Sequence, residues 1–148
     1  MLRTLKTLPL LLVLAACTSN SSSQIPEADF YVNVGQPFGL RVGDTAGVVT
    51  STSIDLVRFN GVLDDSRCPE DAECVQAGFA TVSVSVQTAL EITDTTIEVP
   101  PDGNVSQEVE EVTLDVIELR PQTQSGVAID PLSYVTIMRV RETGSILP

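Results

Sequence analysis

Alternation with a period of two dominates the hydrophobic pattern of this chain. Across residues 79–86, Ala80, Val82, Val84 and Val86 fall on one side and Thr81, Ser83 and Ser85 on the other, as a strand buried on one face requires. Residues 134–141 read the same way, with Arg139 and Arg141 on the outward, solvated side beside Val135 and Ile137. Further strands are predicted over 30–34, 38–42, 54–63, 90–99 and 109–119, with a hairpin turn at Asp94-Thr95 as an alternative inside the fourth of these. No stretch carries a helical period. Gly35-Gln36-Pro37, Gly43-Asp44, Pro100-Pro101-Asp102-Gly103 and Arg120-Pro121 separate the runs, and glycine and proline there supply the backbone angles that turns need. Short strands punctuated in this way predict an all-β chain: a single antiparallel β-sandwich, immunoglobulin-like, or a small barrel.

The first residues follow a different rule. Arg3 and Lys6 precede an apolar run from Leu8 to Ala16, which ends in Leu14-Ala15-Ala16-Cys17. A basic start, a short apolar stretch and small residues before a cut are the layout of a secretory signal. The run is too short for a bilayer, which needs about 20 residues. The order Leu-Ala-Ala-Cys is that of a lipoprotein signal, in which the cysteine becomes the acylated N-terminus. Residues 1–16 are therefore expected to be a lipoprotein signal peptide, and Cys17 the lipidation site that anchors the protein to a membrane. Multiple acylation would make that anchoring firm. Thr18, rather than Asp, follows the cysteine, which favours the outer membrane if the cell has two. The polar segment Thr18 to Gln24 has the composition of a flexible tether. The expected organisation is signal 1–16, lipidated cysteine and tether 17–28, and one β-sandwich domain over 29–148.

Charge narrows the partners. Loss of residues 1–16 leaves six arginines, no lysine and twenty acidic residues, a formal charge of −14. Such a surface repels phosphate backbones and anionic headgroups, so nucleic-acid binding and electrostatic membrane docking are disfavoured. The acid-rich stretch Glu108, Glu110 and Glu111 reads as a solvated edge or strand face.

The densest chemistry lies at residues 64–78, which carry Cys68 and Cys74 among Asp64, Asp65, Arg67, Glu70, Asp71 and Glu73. With Cys17 acylated, these are the last two thiols, in a compartment where disulfides persist, and they are expected to be bridged. Closing seven residues is worth roughly 2.4 kcal/mol, enough to hold a loop but not to found a fold. Arg67 is expected to pair with Asp64 or Asp65. The acid spacing fits no calcium loop, and a Cys-x5-Cys pair without histidine is a poor transition-metal site, so no metal or other cofactor is expected. A redox role is disfavoured for want of Cys-x-x-Cys.

Asp65-Ser66-Arg67-Cys68-Pro69, four residues, Cys74, two residues and Ala77-Gly78 resemble the signature of a family of uncharacterised bacterial lipoproteins with small β-rich domains. The resemblance extends to Phe59-Asn60-Gly61-Val62 before the motif and the alternating valines after it. It also takes in Val34-Gly35-Gln36, Leu119-Arg120-Pro121 and a last strand opening at Tyr134. Gln76 stands where that family usually has an aromatic residue. The resemblance implies an address and a fold, and no established activity.

The chain contains no histidine, which removes the commonest general base and the usual nucleophilic triads. The expected function is a noncatalytic binding or structural domain of the cell envelope. Its candidate binding loop is Arg67, Glu70, Asp71 and Glu73, and its partner an envelope protein of unknown identity. The alternatives are a protease-inhibitor-like module on an immunoglobulin fold, which would lack that family's Asn-Pro-Thr-Thr-Gly-Tyr type of loop, and a carboxylate-dependent hydrolase.

Overall fold

The computed structural model describes residues 27–143, so the expected signal peptide, Cys17 and most of the expected tether lie outside the described residues. Nine strands follow in order: β1 (Phe30–Asn33), β2 (Pro37–Arg41), β3 (Thr45–Val49), β4 (Ile54–Asp65), β5 (Ala80–Gln87), β6 (Ile92–Val99), β7 (Val105–Val109), β8 (Val112–Arg120) and β9 (Val135–Glu142). One 3-10 turn, Pro131–Ser133, precedes the last strand. The strands form a five-stranded sheet in the order β1-β3-β4-β5-β6 and a four-stranded sheet in the order β2-β9-β8-β7. The two pack as a sandwich and do not close into a barrel, so the sandwich expectation holds. One pairing departs from the antiparallel rule, because β1 runs parallel to β3.

Alternation builds the core as the sequence requires. Val82, Val84 and Val86 of β5, Val57 and Phe59 of β4, and Leu114, Val116, Met138 and Val140 of the opposite sheet are all but sealed from solvent. Each such side chain contributes about 1.5–3 kcal/mol of burial. The chain enters one sheet as β1 and crosses to the other as β2. At the crossing Val34 N donates to Val49 O and Gly35 N to Val140 O, which joins both sheets. The rings of Phe30 and Phe38 meet edge to face at 6.2 Å across the same corner.

Three elements differ from the sequence reading. β3 lacks a predicted counterpart because it is covered on both faces and shows no alternation: Ala46 and Val48 face the core, while the Tyr31 ring lies over Gly47. β6 runs unbroken through Asp94 and Thr95. The turn falls earlier, where Thr88 N bonds Glu91 O and the Thr88 hydroxyl accepts from the amides of Leu90 and Glu91. The run 109–119 is split by a tight turn at Glu110-Glu111, with Val109 paired to Val112 and Glu110 at φ 52°. A glutamate in that backbone region gives no turn signal.

The stapled segment and Tyr134 lie at one end of the sandwich. The turns at 50–53, 88–91 and 110–111 lie at the other.

Candidate functional site

β4 is twelve residues long and overshoots its neighbour β3, so its last residues, Val62 to Asp65, are paired to β5 alone. Register shifts between Phe59 and Gly61 and between Val62 and Asp64 twist this end of the β4–β5 ladder. The ladder continues past the strand ends into the loop, where Ser66 N donates to Phe79 O at 2.9 Å and Cys68 N to Ala77 O at 2.8 Å. Gly78 makes this approach possible. Its φ is +65°, and a Cβ there would run into the Ser66 carbonyl. Cys68 and Cys74 are joined by a disulfide with an S–S distance of 2.04 Å, as expected.

Arg67 does not belong to the contact face of this loop. Its side chain is 1% exposed and that of its partner Asp65 is 9% exposed. The guanidinium grips Asp65 through two parallel bonds, Nε to Oδ1 at 2.9 Å and Nη2 to Oδ2 at 2.7 Å. It also reaches across to the end of β8 and the segment after it: Nη1 donates to Leu119 O and Nη2 to Pro121 O, each at 2.8 Å, and Nη1 reaches Gln122 Oε1 at 3.4 Å. Arg67 is thus a strut that ties the β4–β5 hairpin to the segment after β8. Of the two expected partners, Asp65 takes the role, and Asp64 stays exposed.

Tyr134 completes the cluster by donating its hydroxyl to Asp65 Oδ2 at 2.9 Å. Burial pushes the Asp65 carboxyl up, but the bonds from Arg67 and Tyr134 outweigh it and hold the group below the usual carboxylate range. The Tyr134 hydroxyl moves the other way, to about 12, through burial and the neighbouring carboxylate. Further bonds lock the loop to the segment 121–125. The Thr123 hydroxyl donates to Arg67 O, Glu70 N donates to Thr123 O at 3.0 Å, and Ser125 N donates to Asp71 Oδ1 at 2.8 Å. Asp71, expected as a free contact residue, is therefore partly engaged in holding the loop. That backbone bond lowers its pKa.

Glu70 and Glu73 remain exposed, and no side-chain hydrogen bond holds either of them among the described residues. Val75 at the loop tip is fully exposed, and Leu63 and Phe79 at its base are also open to solvent. Val75 carries no sequence signal, since it sits in no alternating run. The roles of Tyr134, Thr123 and the carbonyls of Leu119 and Pro121 carry none either, since their links to Arg67 and Asp65 span more than fifty residues of chain.

A second concavity lies at the opposite end. It is a cleft of about 450 Å³ lined by Thr50, Ser53, Asp55, Glu110, Glu111 and Glu142 among others. Asp55 is buried there and accepts from the Ser53 hydroxyl at 2.9 Å. Burial first, then the charges of Glu111 and Glu142, raises its pKa. Among the described residues no acidic group has the arrangement of a metal site, and the chemistry here is that of an open polar cleft.

Comparison with models of known families, with curated proteins and with solved structures finds no match.

Proposed function

We propose that this chain is a lipid-anchored, noncatalytic protein of the bacterial cell envelope whose sandwich domain presents the disulfide-stapled loop to an envelope partner. The Leu14-Ala15-Ala16-Cys17 order supports the anchor. One observation carries the contact surface: the loop is cross-linked at Cys68–Cys74 and bolted to the segment 121–125 through Arg67, yet turns Glu70, Glu73 and Val75 outward. A loop already ordered loses less conformational freedom on association than an open one of equal length. Val75 offers an apolar centre and the glutamates a polar rim, the layout of a contact patch. Membership in the lipoprotein family signalled by the Asp65 to Gly78 motif agrees with this address. The outer membrane is the proposed site in a cell that has two.

The test has two arms. Labelled palmitate should enter the protein, and Cys17→Ser should abolish the label and release the domain from membranes; label that survives the change removes the anchor. For the loop, Glu70→Ala with Glu73→Ala should weaken recovery of the crosslinked partner from intact envelope while shifting stability by no more than about 0.5 kcal/mol, as exposed substitutions do. Unchanged recovery places the contact elsewhere.

A further inference from the structure

Although the chain is strongly acidic, four of its six described arginines project from one surface, the outer face of the four-stranded sheet. Arg41 lies on β2, Arg120 on β8, and Arg139 and Arg141 on β9, in each case on the side opposite core residues such as Leu40, Leu119 and Val140. Arg139 and Arg141 are two positions apart, so their side chains lie on the same face of one strand. Directly opposite Arg139 on the adjacent strand is Asp115, whose side chain is only 8% exposed. Arg139 and Arg141 lie on the outward face, as the alternation predicts, and are organised there by this carboxylate.

All the accepting capacity of Asp115 is used. Oδ1 takes the Ser106 hydroxyl at 2.7 Å and Arg141 Nη2 at 2.6 Å, and Oδ2 takes Arg139 Nε at 3.0 Å and Arg141 Nε at 2.7 Å. One carboxylate thus fixes two guanidinium groups and neutralises only one of their charges. Arg139 is held by its Nε alone, so the N–H groups of Nη1 and Nη2 have no acceptor among the described residues, and neither does Nη1 of Arg141. Their side chains are 38% and 29% exposed.

Both arginines line a cavity of about 160 Å³ together with Asn104, Ser106 and Ile117. The β8 bulge between Val116 and Glu118 and the close approach of Gly103 to the Ile117 carbonyl shape its far wall. That volume equals roughly five waters at ~30 Å³ each, room for an anionic group.

We propose that Arg139 and Arg141, held in place by Asp115, form a binding site for a single oxyanion group of the phosphate class. The planar fork of Arg139 presents its terminal nitrogens to two oxygens at once, the geometry in which arginine binds such groups best. The oxyanion replaces water on donors that are already positioned, and the surplus positive charge of the cluster is neutralised. This site lies on a different face from the stapled loop, and its occupancy does not depend on that loop.

The experiment follows the Nε–Hε resonances of Arg139 and Arg141 in the intact purified chain at neutral pH, with chloride holding ionic strength constant. Inorganic phosphate should move both resonances along a saturable curve. Arg139→Gln should weaken binding by about tenfold or more, since a hydrogen bond to a charged group is worth about 1.5–3 kcal/mol. Arg120→Gln, whose arginine is paired to Glu118 on the same face, should leave the curve unchanged. Should Arg139→Gln fail to fold, Arg139→Lys keeps the charge without the fork and should also bind more weakly. Resonances that answer to vesicles containing phosphatidylglycerol but not to free phosphate assign the group to a lipid headgroup, and the reverse assigns it to a soluble or polymer-borne phosphate; either supports the site. No saturable response to either, a chloride response of equal size, or wild-type binding by Arg139→Gln overturns it.

Discussion

Arg67 shows how one side chain can decide what a loop is for. Its segment also carries the exposed acids Asp64, Glu70, Asp71 and Glu73, so composition alone places it in a charged surface patch. The structure buries it instead, because a guanidinium has five donors and this end of the fold offers matching acceptors in Asp65, Leu119 O and Pro121 O. Removing one partner of a buried pair leaves the other uncompensated, which costs about 3–5 kcal/mol. Arg67→Gln should therefore destabilise the domain more than Cys68→Ser with Cys74→Ser, for which the loop-closure figure is roughly 2.4 kcal/mol. Urea unfolding of both variants checks the ranking. If the cysteine pair proves the costlier loss, the loop depends on its staple and not on the strut.

At the scale of elements, β7, β8 and β9 are joined on their outer face through Asp115, which receives Ser106 from one side and Arg139 and Arg141 from the other. Bonds from Arg141 first, then from Ser106 and Arg139, outweigh burial and hold its carboxyl down to about 2, against an ordinary 3.8. A carboxyl depressed by folding stabilises the native state fully above its unfolded value and loses that contribution as pH falls through its folded value. The shift corresponds to on the order of 2 kcal/mol before screening, and to less in practice because the arginines are about a third exposed. Asp115→Asn should be less stable than the wild type at neutral pH, and the gap should close between about pH 4 and pH 2. Denaturant midpoints at constant ionic strength read this directly. A gap that does not change with pH would show that Asp115 acts through packing. Asp55, whose pKa is raised, has the opposite sign: its burial favours the protonated form, so it adds stability as pH falls. Strands that alternate were legible in the sequence, β5 and β9 above all. β3 was not, because Tyr31 covers the face that would have been polar, and the β7–β8 turn was not, because Glu110 occupies a backbone region that sequence reading reserves for glycine or asparagine.

For the whole molecule, the sandwich separates three surfaces that the sequence listed only as scattered charges: a bolted loop at one end, an acidic cleft at the other, and an arginine-bearing sheet face between them. The disulfide was legible from the cysteine count together with the compartment that the N-terminal residues lead one to expect. The long-range ties of Arg67 and the pairing of Asp115 with two arginines were not, since each links positions brought together only by strand register. The stapled loop, and not another face, is proposed to meet the envelope partner. A photoreactive residue at Val75 or at Thr96, which lies on the outer face of the five-stranded sheet, tests it in intact cells. A discrete crosslinked species is expected from Val75 and none from Thr96, with the Val75 species lost in Cys17→Ser. Crosslinking from Thr96 without crosslinking from Val75 would contradict the proposal.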